Sequence, residues 1–242
     1  MYGHLLKVYR RADRGNEAAG TGLLKLWQNR GAVRVLADAQ NSVLTEWLEG
    51  PSLGDLARAG QPDLAIATLA ETAQRLHRAP VIRTQGLRPL QDVFEPIFSS
   101  RFSPCCSSRL KNDMGRAIDL AKVLLGNQPT TVPLHGDLHP DNVIQTAAGP
   151  RVIDAKGYLG DPAFELANAL RHPNGMSALV QQRSQIERCL KLYSEAMNVD
   201  THRLAQWAAA KCALSIFWRA DALIQTDREA DLLHLFLEIA GQ

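Results

Sequence analysis

The hydrophobic rhythm of the chain changes near residue 50. Residues 5–9 (LLKVY), 32–36 and 42–47 are short runs rich in Val, Leu, Ala and Trp, with the polar stretch 38–41 as a turn between the last two. They predict a small antiparallel sheet. Between the first two runs, Leu23, Leu24 and Trp27 share one face of a helix that starts near Asn16, an N-cap type, with Glu17 in its first turn. From Ser52 the period is helical. Short 52–59 is followed by 62–78, where Leu64, Leu69, Ala73 and Leu76 recur at helical spacing and Pro80 ends the run. A helix broken at Pro96 is expected over 87–101, a loop over 102–108 and a helix over 110–125. Helical pattern then fills 177–197, 201–225 and 228–240. The expectation is an α+β chain in two parts, a small lobe over 1–48 and an α-rich lobe over 49–242.

The stretch 134–160, LHGDLHPDNVIQTAAGPRVIDAKGYLG, breaks the helical pattern and carries the chemistry. Residues 142–145 and 151–153 read as two strands, and Ala147, Ala148, Gly149 and Pro150 supply the turn. Asp137 and Asn142 have the D-x-x-x-x-N spacing of a kinase catalytic loop, and the hairpin folds Asp154 back beside Asn142. Phosphoryl transfer needs an aligned acceptor hydroxyl and a divalent cation on the phosphate oxygens. Asp137 suits the proton acceptor; the amide oxygen of Asn142 and the carboxylate of Asp154 are hard ligands suited to magnesium. A plain surface loop and hairpin would explain one such spacing, but not the ordered series His135, Asp137, Asn142, Asp154.

HGDLHPDN followed by VIDAKGYLGDPAFELA resembles the aminoglycoside phosphotransferase family, in particular its streptomycin 6-kinase and hydroxyurea-resistance type. The resemblance implies a protein-kinase-like two-lobe fold that uses ATP and Mg2+ to phosphorylate a hydroxyl of a small molecule, an aminoglycoside such as streptomycin first. Hydroxyurea, a sugar or an amino alcohol are the rival acceptors, and a pseudokinase that only binds is the rival of another class. Lys7, which alone would read as a snorkelling surface lysine, becomes the strand lysine at the phosphates, and Glu17 the helix carboxylate that holds it. The backbone carbonyl of Glu46 and amide of Leu48 become the adenine-reading hinge. His135 and His139 become loop braces, and Glu165 ties the 163–170 helix to the catalytic loop. Asp161 and Glu165 would serve equally as an N-cap and a first-turn glutamate. Lys156, at the place of the glycine in D-F-G, receives no role. Trp207, Trp218, Asp221, Asp231 and Glu238 are candidates for a wall that holds a cationic sugar, although aromatic residues at helical spacing are more often core.

Against that pattern, Met1-Tyr2-Gly3-His4 leaves no room for the strands that cover the phosphates, so a small lobe that is N-terminally shortened is expected, either because the reading frame begins late or because this is a shortened member. The bared edge beside Leu5 and Leu6 is expected to support a homodimer.

Composition narrows the partners. The 242 residues are 45% hydrophobic with a formal net charge of +2, too mild and too dispersed for a nucleic-acid partner. No signal-peptide layout or membrane-length apolar run is present, so the cytoplasm is expected. Cys105, Cys106, Cys189 and Cys212 lack ligand spacing and read as incidental thiols. His77, near a helix end, reads as a core or capping residue.

Overall fold

The computed structural model describes residues 3–11, 14–78, 86–221 and 223–241. Met1 and Tyr2, on which the expected shortening partly rests, and Pro80, the expected helix stop, lie outside the described residues.

Strands β1 (His4–Val8), β2 (Val35–Ala39) and β3 (Ser42–Glu46) form an antiparallel sheet in the order β1-β3-β2. The register sets Lys7 opposite Val43, and β3 alternates so that Val43 and Thr45 face inward. The run 32–36 does not act as one strand. Val33 donates its N–H to the carbonyl of Val152, and Ala32 bridges the same residue, so the first half of the run joins the catalytic hairpin and only the second half joins the sheet. A 3-10 turn, Gly15–Glu17, leads into α1 (Ala18–Trp27), whose buried Leu23, Leu24 and Trp27 form the expected face.

In the larger part, α2 (Leu53–Arg58) begins with a reciprocal capping box between Ser52 and Asp55, and α3 (Pro62–His77) opens on a proline where a missing N–H costs nothing. The predicted helix over 87–101 instead divides into β4 (Arg88–Pro89), α4 (Leu90–Phe94), a 3-10 turn Glu95–Ser99 entered at Pro96, and β5 (Arg101–Phe102). Proline disrupts a regular helix by removing a donor and crowding the preceding turn. Next come α5 (Ser108–Gly126), β6 (Val132–Leu134), the hairpin of β7 (Val143–Thr146) and β8 (Gly149–Val152), and β9 (Tyr158–Gly160). Gly149 and Pro150 lie in β8 rather than in the turn, because Thr146 pairs with Gly149 and the chain reverses over Ala147 and Ala148 alone.

The predicted 163–170 helix is two 3-10 turns, Pro162–Phe164 and Asn168–Arg171. The C-terminal part comprises α6 (Ser177–Val180), α7 (Arg183–Met197), α8 (Thr201–Arg219), β10 (Leu223–Ile224) and α9 (Ala230–Ile239). α8 stops six residues before the expected end: Asp221 takes a left-handed backbone, φ 47°, and β10 pairs in parallel with β5.

One hydrophobic cluster runs through both parts, from Leu23 and Trp27 through Leu69, Leu76 and Phe94 to Trp207 and Phe236. Trp27 meets His77 edge-on, and Phe94, Phe164 and Trp207 pack with centroids 5.3 to 6.0 Å apart. Among the described residues no helix is long and apolar enough to cross a membrane.

Candidate active site

The catalytic loop is built on fully buried partners. Glu165 sits beneath it and accepts hydrogen bonds from the backbone N–H of His135 (2.9 Å), from His77 Nε2 (3.0 Å) and from the N–H of Gly136 (3.3 Å). Burial pushes this carboxyl up, but the bond from His77 and the bond from the backbone N–H of His135 outweigh it, and Glu165 stays below the ordinary glutamate value. The imidazole of His135, fully buried and lowered in pKa chiefly by that burial, is neutral: Nε2–H donates to the carbonyl of Ile153 (2.8 Å) while Nδ1 accepts from the N–H of Asp137 (3.3 Å). His135 therefore bridges the two halves of the motif. Gly136, at φ +80°, leaves no space for a side chain: a Cβ there would lie 2.5 Å from the ring of Tyr158.

Asp137 accepts from Asn168 Nδ2 (2.9 Å) through Oδ1. Burial alone would raise its pKa, yet the charges of His139, Lys211 and Lys156 lower it, so the group is ionised at neutral pH, as a proton acceptor must be. Asn142 donates Nδ2–H to the carbonyl of Asp137 (2.9 Å), which turns its amide oxygen away from the loop; no described residue donates to that oxygen. The carbonyl of Asn142 accepts from Ile153 N–H (3.0 Å), and the register Val143 to Val152 continues into this bond. The hairpin thus brings Asp154 alongside Asn142. Asp154 holds φ 58°, a left-handed backbone that costs an L-residue roughly 1–2 kcal/mol. Its side chain is about half exposed.

Lys7 reaches both acids, bonding Glu17 Oε2 at 2.5 Å and Asp154 Oδ1 at 3.0 Å. Burial would lower Lys7, but the bond to Glu17 and the charge of Asp154 prevail and raise it. Lys7, Glu17 and Asp154 line one cavity of about 140 Å³ together with Val33, Val43 and Thr45. That volume is small for a nucleotide, whose pockets are commonly about 300 Å³ or more. Glu46 and Leu48, the residues expected to read adenine, lie at and just beyond the end of β3. The carboxylate of Glu46 is occupied by the N–H of Arg34 (2.8 Å), so only its backbone is available for a base, and the side chain of Leu48 packs on the core.

The oxygen donors fit a magnesium ion: an unoccupied amide oxygen on Asn142 and a carboxylate on Asp154 whose partner is a displaceable ammonium. The cluster His139, Asp141 and His172 also has ligand-type atoms within 4.8 Å of one another. Its rings stack at 3.8 Å and 12°, and both Nδ1 atoms face Asp141 Oδ2, at 3.6 Å from His139 and 3.3 Å from His172. With Arg58 and the N–H of Asn174 also on Asp141, this is a brace for the loop.

Several site residues are absent from the sequence expectations. Asn168 orients Asp137, Arg171 donates to Asn168 Oδ1 (2.6 Å) and Ser215 Oγ (2.7 Å), and Glu229 accepts from both Arg171 and Arg219 (2.6 Å each). Lys211, buried on α8, donates to Ser215 Oγ (2.9 Å) and faces the Trp218 ring at 5.0 Å. Burial and the charge of Arg171 bring its pKa down to about 7. A buried lysine in an Ala-rich helix has no local signal; the spacing of four to Ser215 is the only hint. Three of the acceptor-wall candidates have partners within the fold. Trp207 is fully buried and donates Nε1–H to Asp161 (2.9 Å), Asp231 is a surface partner of Arg109, and Glu238 is a partner of Arg183 (2.8 Å). Asp161 caps the turn at Ala163 N–H (2.9 Å) and also binds Arg203.

The family model described as aminoglycoside/hydroxyurea antibiotic resistance kinase matches residues 3–222. The chain belongs to this family. It is 33% identical to the streptomycin 3''-kinase of Klebsiella pneumoniae over 219 residues, 88% of this chain and 79% of that one. To the streptomycin 6-kinase of Streptomyces griseus it is 30% identical, over 81% of this chain and 64% of the relative. Among solved structures, an aminoglycoside phosphotransferase from Streptomyces rimosus, in complex with ADP and streptomycin, superposes with a TM-score of 0.58 at 16% identity, covering 99% of this chain and 87% of that one. The two-lobed, protein-kinase-like α+β fold is thereby shown, and as a member of the antibiotic resistance kinase family the protein is a phosphotransferase that acts on a small-molecule hydroxyl.

Proposed function

We propose that the protein transfers the γ-phosphate of ATP to a hydroxyl of a streptomycin-type aminoglycoside, with the nucleotide between a small lobe, 1–48, and a large lobe, 49–242. The observation that carries the reading is the ionised Asp137 on the same rigid loop and hairpin as Asn142 and Asp154. The acceptor oxygen bonds to the γ-phosphorus as the bond to the β,γ-bridging oxygen breaks; the electron pair leaves on ADP and the hydroxyl proton passes to Asp137. Magnesium, held by Asn142 and Asp154, would neutralise charge on the phosphate oxygens. Lys7, once released from Asp154, contacts the phosphates, Glu17 fixes it, and the backbone of Glu46 and Leu48 meets adenine. The names of the relatives support streptomycin, and the family description supports hydroxyurea as the second reading. The same reading places the enzyme in the cytoplasm, where ATP and magnesium are supplied. It also pairs two copies along β1, an edge strand whose Leu6 and Val8 are more than half exposed; light scattering that shows a strict monomer at high concentration removes this part.

The test combines calorimetry with MgATP and an acceptor panel read as ADP release. Streptomycin-dependent ADP release with phosphate recovered on one hydroxyl is expected. MgATP binding without turnover on streptomycin or hydroxyurea would overturn the acceptor, and no MgATP binding would overturn the kinase reading. Asp137→Asn is expected to abolish transfer and keep MgATP binding, and Asp154→Ala to lose both.

A further inference from the structure

Glu17 carries two ammonium groups. Lys7 holds Oε2 at 2.5 Å, and Lys156 holds Oε1 at 2.9 Å. One lysine suffices to pair a glutamate, and the second is costly, because the Lys156 side chain is 17% exposed and a long flexible chain is ordered to make the contact. Lys156 acts on both sides of the cleft: its charge helps to lower Glu17 on the nucleotide side and Asp137 at the transfer point. Its position is fixed by the backbone. The N–H of Lys156 donates to the carbonyl of His135 (2.7 Å), directly joining it to the catalytic loop.

A purely structural tie between α1 and this segment is already present without the ammonium. A Cβ on Gly20 would fall 1.7 Å from the carbonyl oxygen of Ala155, and one on Gly157, at φ +73°, 2.6 Å from the carbonyl carbon of Ala19. The two backbones are in direct contact, so the ion pair adds little fastening. What it adds is a second cation, two residues beyond Asp154 in the chain and on the same carboxylate that holds Lys7.

We propose that Lys156 is a second phosphate-directed cation, held on Glu17 and released to the equatorial oxygens of the phosphoryl group in transit. The proposal rests on the kinase reading above. Charge on the phosphoryl group spreads over three oxygens at the transition state, and a cation placed there in advance acts without reorganising solvent. The lysine stem has the length and freedom to change partners, and Glu17 keeps Lys7 when Lys156 leaves.

The test measures binding, separately from turnover. Wild type, Lys156→Met and Lys156→Arg are titrated by calorimetry with MgADP alone and with MgADP plus aluminium fluoride and streptomycin, a mimic of the planar phosphoryl group. Lys156→Met is expected to keep the MgADP affinity within about threefold and to lose affinity for the mimic by about 10²-fold or more, the scale of one lost charge-stabilising donor. Lys156→Arg should recover most of that loss, and kcat should follow the mimic while KM for ATP does not. Equal losses for MgADP and the mimic, no loss for either, or an unfolded Lys156→Met by circular dichroism would each mean a structural tie and overturn the proposal. Wild type that fails to bind MgADP would instead remove the kinase reading itself.

Discussion

Glu165→Gln offers the sharpest test of how the catalytic loop is held. The carboxylate accepts from two backbone N–H groups and from His77, with its side chain fully buried. Glutamine is the same shape but brings two donors. Oε1 has two partners, so the amide oxygen takes that place and the NH2 faces the N–H of Gly136. The N–H of Gly136 then loses its acceptor and the amide NH2 finds none, two unpaired buried groups at about 1–3 kcal/mol each, and the two remaining bonds lose charge assistance worth about 1 kcal/mol each. Relief of the buried charge offsets part of this, leaving a net destabilisation of about 3 kcal/mol. For a chain of this size that lowers Tm by roughly 6–12 °C.

The pH dependence gives an independent signature. Glu165 in the folded protein lies below its ordinary value of 4.5, so the stability it contributes is present above that value and is lost as pH falls towards the folded pKa. Urea unfolding of both proteins should therefore show the largest gap at neutral pH and a narrowing gap below about pH 4.5. A gap under about 1 kcal/mol at pH 7, or a more stable glutamine variant, would show that desolvation of the charge dominates and would refute the assignment of Glu165 as the brace of the loop.

Three further outcomes are expected. Lys211→Met should be more stable than wild type at pH 7 by roughly 2–4 kcal/mol in urea unfolding, because the folded amine titrates at about 7 and the unfolded one near 10.5; wild-type stability should rise with pH across that window and close the gap. Equal stability at pH 7 would mean the buried amine is better paired than Ser215 alone allows. Gly20→Ala should weaken MgATP binding at least tenfold by calorimetry, since the added carbon meets the carbonyl of Ala155 and lifts Glu17 off the Asp154 segment; unchanged affinity would sever that link. Trp207→Phe should cost about 1–3 kcal/mol, by the same denaturation assay, through loss of the indole donor to buried Asp161.

The parts of the site that were legible in the sequence are those whose chemistry depends on neighbours along the chain. Asp137 to Asn142 is a loop spacing, and Asp154 follows from a hairpin marked by two short apolar runs with turn residues between them. The helical faces of α1, α3 and α5 were legible for the same reason: their apolar residues repeat every three to four positions. What could not be read depends on contacts between distant segments. The break of the run 32–36 follows from the bond between Val33 and Val152, and the early end of α8 from the pairing of β10 with β5. Asn168, Arg171, Ser215 and Glu229 form one polar chain only after three segments meet.

That chain bears on the acceptor. A cavity of about 640 Å³ opens beside it, lined by Arg171, Asn174, Ser177, Arg228 and Glu229. The nearby carboxylates are already spent: Glu229 on Arg171 and Arg219, and Asp227 on Arg219 at 2.8 Å. A cationic aminoglycoside entering here meets no unpaired acid among these groups. It must be held by hydrogen bonds to its hydroxyls, or its own cations must replace Arg219 at Asp227 and Glu229. The second route exchanges one ion pair for another, so acceptor affinity would depend on salt far less than an open acidic wall would require.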